Sequence, residues 1–321
     1  MPLVASFGAR SKAEEIRISF LTNSAALEDT VKVLMSNGCA EETTKAFRKA
    51  VEGYYKAGFD FDYSKFPAPS AGFYTFASPT QLLAALPRHF ADTPHAWGYN
   101  CLDCTILLAS GDLRCGLTND AIAGPFLVPQ YDPSGFTAIT SRASARDAFE
   151  AACPQDYREA SEPFVPSAMR EQRISLIASL YSARMLRYST TEQTLQQEVF
   201  EALKTDCRKE SVQFPRGFEV VLCHETSLSN HFFVFAHSGL LFKTSDHYCY
   251  IEKAGAPGPF VRLDFAGRAT LTAWLTGTFR VTGRFEPSER FVTYNNTKIE
   301  KLPPAVWPAN SISPINAAVT H

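Results

Sequence analysis

The chain lacks any long apolar run. Nowhere in its 321 residues is there an uninterrupted apolar stretch of the roughly 18 residues or more that a membrane-spanning helix needs. An excess of either charge is missing as well. Its 31 basic and 33 acidic residues nearly cancel, and no long basic block offers a footprint for a phosphate backbone, so nucleic acid is not an expected partner. Met1 to Arg10 supply no apolar core of signal-peptide length before Lys12, Glu14 and Glu15, which predicts a soluble protein made in the cytoplasm. A disulfide framework is not expected either. Eight cysteines spread through a chain of this length, without an export signal, read as reduced thiols. No repeat of fixed period occurs, and the one biased stretch, 303–321, is rich in Pro, Ala, Asn and Ser and reads as an irregular tail.

The sequence does contain enough apolar residues, 45% of the total, for one large domain with insertions or two closely packed lobes. Leu27, Val31, Leu34 and Met35 recur at helical spacing behind Ser24 as a cap and ahead of Gly38. Phe47, Ala50, Val51 and Tyr54 mark a second helix ending before Gly58, and a short helix is expected at 81–86 after an aromatic, Pro-rich loop. Pro- and Gly-marked loops near 124–135 should lead to a helix carrying Ile174, Ile177, Ala178, Tyr181 and Met185 on one side. Another, with Leu195, Val199, Ala202 and Leu203, is opened by a capping box of Thr190 and Gln193. Past Gly217 the period changes. Residues 218–223, 232–242, 248–252 and 260–265 read as strands, 271–275 as a short helix and 290–294 as a last strand. Helices first and an antiparallel sheet later define an α+β protein.

Two positions carry the chemistry. Cys101 stands where the polar turn Trp97-Gly98-Tyr99-Asn100 gives way to an apolar helical stretch. At a helix start a thiol meets unpaired N–H groups and the positive end of the helix dipole, which favours its thiolate. His237 lies in the second predicted strand and Glu252 in the third. In a hairpin centred between Thr244 and Ser245, His237 and Glu252 face each other. A turn shifted by one residue puts Gly239 opposite Glu252 and leaves His237 diagonal to it on the same face, with ~7–8 Å between the backbones. Either register lets the carboxylate orient the imidazole, which is the logic of a Cys-His-Glu triad, with the N–H groups of the same helix end available to an oxyanion.

The runs Gly98-Tyr99-Asn100-Cys101, His237-Ser238-Gly239-Leu240-Leu241 and Ile251-Glu252-Lys253, with Pro259 and Phe260 after them, resemble the bacterial family catalogued as domain of unknown function 4300. The resemblance extends over most of residues 20–280. By the order of Cys, His-x-Gly and a polar residue on the next strand, the chain is also similar to the NlpC-type papain-like cysteine peptidases and amidases, many of which cut peptidoglycan stem peptides. The resemblance implies a papain-like core formed by 96–111 and 216–300. Around it would lie an N-terminal helical region, 1–95, a mainly helical insertion, 112–215, and an irregular tail, 301–321. It implies Cys101, His237 and Glu252 as catalytic residues, and Tyr99 and Asn100 beside the substrate. His95, six residues before Cys101, takes the spacing at which papain-like enzymes place a Gln that helps bind the oxyanion. The implied substrate is a peptide or a peptidoglycan stem peptide, with no cofactor, metal or membrane partner. Secreted members would carry an export signal. Its absence here points to an antibacterial effector exported by a dedicated machine such as the type VI system and neutralised by an immunity protein.

Other readings remain open on the sequence. Cys104, in Asp103-Cys104-Thr105, looks like the Asp-Cys-Ser run of NlpC-type enzymes and competes with Cys101 for the nucleophile. Cys101 and Cys104 also have the spacing of half a zinc site, with Cys223-His224 or His247-x-Cys249 as the other half, although no second knuckle of standard spacing exists. A thioredoxin-like role would need a βαβ context that is missing. Finally, the same shell serves a non-catalytic module that binds a peptide or a partner.

Overall fold

The elements follow one another as β1 (Ile16–Ser19), α1 (Ser24–Ser36), α2 (Glu41–Lys56), β2 (Tyr74–Phe76), α3 (Pro79–Ala85), α4 (Cys101–Ala109), β3 (Ala121–Pro129) and β4 (Phe136–Ser141). Then come β5 (Arg184–Met185), α5 (Glu192–Lys209), β6 (Glu219–Ser227), β7 (Phe232–Lys243), β8 (Tyr248–Lys253), β9 (Phe260–Phe265), α6 (Arg268–Thr278), β10 (Ser288–Tyr294) and β11 (Lys298–Lys301). The computed structural model describes residues 15–56, 61–87, 101–109, 112–116, 121–129, 136–141, 175–176, 179–180, 184–186, 192–209, 211–227, 232–254, 258–278 and 288–303.

Among the described residues nine strands form one sheet in the order β11-β10-β6-β7-β8-β9-β1-β2, with β5 added beside β7. Every pairing in it is antiparallel, so the protein is a mixed α and β structure around an antiparallel sheet. Helices cover both faces. Phe235, Leu240, Phe242, Ile251 and Phe260 pack with α1, α2 and α4 through residues such as Leu34, Phe47, Tyr54 and Leu107. On the reverse face Val221, Leu241, Tyr250 and Leu263 pack with α3 and α6 through Leu82, Leu271 and Trp274. A sheet built of alternating side chains is apolar on both sides here, and each side needs its own helical layer. No helix among the described residues is long and apolar enough to cross a membrane.

Several local expectations are corrected. Asn23, not Ser24, caps α1, its Oδ1 accepting from the N–H groups of Ala25 at 2.9 Å and Ala26 at 3.3 Å. Ser24 is the first helical residue. Gly38 does close the helix, at φ +92°, the left-handed conformation that glycine adopts freely. The N-terminal region is not only helical. Ile16 and Ile18 in the alternating run of β1 are fully buried and pair with β9, so this early strand lies inside the sheet between β9 and β2. The loops expected near 124–135 begin inside β3, which pairs with β4 as a separate ribbon. Gly124 and Pro125 are absorbed where the register shifts between Ala121 and Phe126, a bulge being one of the few places a strand tolerates proline. Met185 lies in β5, not on a helix. Gly58, Thr190 and the tail beyond residue 303 lie outside the described residues.

Candidate functional site

Helix α4 begins at Cys101, and its Cys104, Ile106, Leu107, Leu108 and Ala109 are each at most 2% exposed. A polar contact joins it to the sheet beside its apolar packing. Thr105, one turn beyond Cys101, donates or accepts at 2.9 Å with Ser238 of β7, and its hydroxyl also reaches the Cys101 carbonyl at 3.0 Å. Since Ser238 follows His237 directly, pinning Thr105 to it fixes Cys101 beside the imidazole.

The sheet aims His237 with two irregularities. Opposite β6, Cys223 pairs with His237 and His224 with Phe235, so Ala236 is an extra residue in β7. A bulge of this kind re-aims the side chain next to it. On its other edge β7 is covered by β8 from Gly239 to Lys243 and by β5 at Phe232 and Phe233. Between them no described strand lies beside 234–238, and His237 sits at that window.

The observed hairpin register pairs Gly239 with Glu252, the second of the two arrangements considered, and leaves His237 diagonal to the carboxylate. The side chains nevertheless meet. His237 Nε2 donates to Glu252 Oε2 at 2.7 Å, with the histidine side chain 13% exposed and the glutamate 1%. A side-chain hydrogen bond also joins His237 to Cys101. With Nε2 committed to Glu252, Nδ1 is the ring nitrogen left for the thiol. The other carboxylate oxygen, Oε1, accepts from the indole Nε1 of Trp274 in α6 at 3.0 Å. Burial opposes a charged imidazole. The Glu252 carboxylate and the Cys101 sulfur, acting through charge and through hydrogen bonds, outweigh it and push the His237 pKa from 6.5 up to about 10. The shift favours the protonated ring, with the Glu252 carboxylate on one side and Cys101 on the other.

The glycine of the His-x-Gly run has a steric reason. A Cβ on Gly239 would lie 2.4 Å from the Tyr250 hydroxyl oxygen, so only glycine admits that ring beneath the site. Burial and the Glu252 charge keep Tyr250 a neutral phenol, and burial does the same for the Cys223 thiol. Of the two competing cysteines, Cys101 is the one bonded to His237, while Cys104 lies deeper at 2% exposure. The structure thus brings together Cys101, His237 and Glu252. Tyr99, Asn100 and His95 lie outside the described residues. Among the described residues no group of three or more His, Cys, Asp or Glu side chains is arranged to hold a metal ion. Two surface hollows, one beside Cys207, Arg208 and Asn296 and the other beside Lys65 and Thr75, have neither Cys101 nor His237 in their walls.

The sequence reading missed Trp274, Thr105 and Ser238. Trp274 is 22 residues from Glu252 and Thr105 is 133 residues from Ser238, so no local spacing announces either contact. Compared with models of protein families, with curated proteins and with solved structures, the chain finds no match.

Proposed function

We propose that the chain is a cysteine hydrolase that cleaves a peptide or amide bond through Cys101, on a papain-like arrangement of a nucleophile-bearing helix against an antiparallel sheet. One observation carries the reading: a single imidazole is held between a thiol at a helix start and a buried carboxylate. The Cys101 thiolate adds to the substrate carbonyl carbon, and the N–H groups of the first turn of α4 receive the oxyanion. As the C–N bond breaks, His237 gives its proton to the leaving amine and a thioester remains on Cys101. His237 then takes a proton from water, the hydroxide displaces the sulfur, and the acid leaves. Glu252 keeps the ring oriented throughout. Tyr99, Asn100 and His95 belong to the substrate side of the same proposal.

The substrate class rests on the resemblance to NlpC-type enzymes and is a peptidoglycan stem peptide, with export as an antibacterial effector and an immunity protein as partner. The test is incubation of purified sacculi with the wild type and with Cys101→Ala, followed by chromatography of the released fragments. Wild type should release fragments with new amino termini, and Cys101→Ala should lose roughly a thousandfold or more in rate. Its melting temperature should stay close to wild type, because the residue sits at the start of α4 and the change removes one sulfur atom. Equal release by both proteins would refute the assignment of Cys101. No release by either across several stem-peptide chemistries, with Cys101 no more reactive to iodoacetamide than the other thiols, would leave a peptide-binding module instead.

A further inference from the structure

Helix α4 opens with two thiols, and the hydrolysis proposed above uses one of them. Cys101 is its first residue and Cys104 its fourth. Residues three apart on a helix are surface neighbours, with Cβ atoms ~5–6 Å apart, and a disulfide asks for ~3.5–4.5 Å. Only a small closing movement separates the two geometries. It falls where a helix yields most easily, because the N–H groups of the first turn have no intrahelical acceptor. Thr105, next to Cys104, is tied to Ser238 of β7 at 2.9 Å, and its hydroxyl also holds the Cys101 carbonyl at 3.0 Å. Rotation about the Cα–Cβ bond of Cys101, with a slight tightening of the turn, therefore carries its sulfur from the imidazole towards Cys104. The deeper thiol, 2% exposed against 7% for Cys101, is the fixed partner of the pair.

Both sulfurs are thiols in the structure. The rival partner for Cys101 is Cys223, which pairs with His237 across β6 and β7. That residue is fully buried and locked in an inner strand, with β7 on one side and β10 on the other, and it is distant in sequence. Joining Cys101 to Cys104 closes a loop within one helical turn, which costs far less chain entropy. A thiol at a helix start, with a second thiol three residues on and deeper in the same turn, is the layout of an oxidisable cysteine with its resolving partner.

We propose that Cys101 and Cys104 form a reversible oxidation site: a hydroperoxide oxidises Cys101, and Cys104 closes a disulfide that switches the hydrolase off and shields its sulfur from further oxidation. The switch rests on reading Cys101 as the nucleophile and adds its regulation. The Cys101 sulfur, its proton passed to His237, attacks the terminal oxygen of the hydroperoxide. An S–O bond forms as the O–O bond breaks, the sulfur gives up a pair of electrons to the peroxide, and the leaving oxyanion takes the proton from His237 and departs as an alcohol or water. The Cys104 sulfur then attacks the sulfenic acid so formed. The S–S bond forms, the S–O bond breaks, and the hydroxide leaves with the Cys104 proton as water. A Cys101 sulfur bonded to Cys104 cannot add to a carbonyl, and a dithiol returns it to the imidazole.

In the experiment, full-length protein is treated with hydrogen peroxide near neutral pH, its remaining thiols are capped with iodoacetamide, and an unreduced tryptic digest is read by mass spectrometry. Cys101 and Cys104 fall on one tryptic peptide, 89–114, and Cys223 on another. In wild type the 89–114 peptide should lose two hydrogen atoms and carry no cap, then take two caps once dithiothreitol has acted, while hydrolysis falls and returns with the same treatments. Cys104→Ala should cleave at the wild-type rate before peroxide, then gain two oxygen atoms at Cys101 as sulfinic acid and stay inactive after dithiothreitol. A wild-type peptide that keeps both caps after peroxide, or gains oxygen in place of a disulfide, would overturn the proposal, as would a link from Cys101 to Cys223. These readings on wild type decide the matter even if Cys104→Ala does not fold. If the disulfide forms and reopens while the reduced protein cleaves no stem peptide, the hydrolase reading fails and the thiol pair stands.

Discussion

Two buried cations lie on the same face of the β8–β9 ladder and are held in opposite ways. Arg262 is 2% exposed and clamped by carboxylates. Its Nε and Nη2 donate to the two oxygens of Asp264 at 2.9 and 3.1 Å, and its Nη1 donates to Asp29 Oδ2 at 2.9 Å and to Thr30 Oγ1 at 3.2 Å. Lys253, whose strand partner Phe260 lies two residues before Arg262, has a carbonyl, an aromatic face and two thiols instead. A guanidinium never gives up its proton, and its planar fork matches a carboxylate, so Arg262 serves as a fixed clamp. An ammonium among thiols titrates within reach of neutral pH. Buried charge thus ties α1 to the sheet through carboxylates at one position and is seated against a carbonyl and an aromatic ring at the other.

The largest effect in stability should come from the clamp. Arg17 of β1 also reaches Asp264, at 3.5 Å, so β1, β9 and α1 meet there. Arg262→Met leaves Asp264 buried without its main partner, and breaking a buried pair from one side costs ~3–5 kcal/mol. Urea denaturation should show that loss while the alkylation profile of Cys101 stays at wild type. Should Arg262→Met prove as stable as wild type, or shift the thiol profile, the division between a structural clamp and the candidate site collapses.

His237 is a third cation, and pH sharpens the contrast. Its folded pKa of about 10 lies above the ordinary 6.5. A group raised in this way contributes stability that is fully present below the unfolded value and is lost as pH rises through the folded one. The advantage of wild type over His237→Asn in urea midpoint should therefore be full up to about pH 6.5 and disappear as the pH passes about 10. The advantage over Arg262→Met should hold across that window, because the guanidinium stays charged. A His237→Asn difference independent of pH would show that the imidazole is not held charged by Cys101 and Glu252.

The legible parts of the molecule are those where one residue type or one local period carries the physics. The start of α4 at Cys101 was readable because a polar turn gives way there to an apolar run, and the strands from β6 to β9 because aromatic and β-branched residues cluster between polar turns. Parity placed His237 and Glu252 on one face in both registers considered, so the one-residue choice of turn did not matter to the pairing. The bulge at Ala236, directly before His237, left no mark in composition. β1 went unread although Ile16 and Ile18 alternate with polar residues, since four residues give too little pattern without knowledge of the edge they join. Gly124 and Pro125 read as a loop because local breakers outweigh a strand unless a bulge absorbs them. Lys253 stood in plain view beside Glu252, but burial decides whether a lysine matters, and burial is a property of the packed chain.

The smallest expected effect tests the face of β8 opposite Lys253. Trp274 Nε1 donates to Glu252 Oε1 at 3.0 Å from within the α6 layer, which leaves Oε2 directed at His237. Trp274→Phe keeps an aromatic ring there and removes the donor. A hydrogen bond to a charged group is worth ~1.5–3 kcal/mol, and because Glu252 keeps its bond to His237 the loss should fall at the lower end. The carboxylate would be free to rotate, so the imidazole should be less firmly oriented and the alkylation rate of Cys101 near neutral pH should drop a few-fold. Glu252→Gln, which keeps the shape and removes the charge, should drop it further. If Trp274→Phe costs stability and leaves the thiol rate unchanged, the indole belongs with Arg262 among the structural contacts, and the candidate site narrows to Cys101, His237 and Glu252.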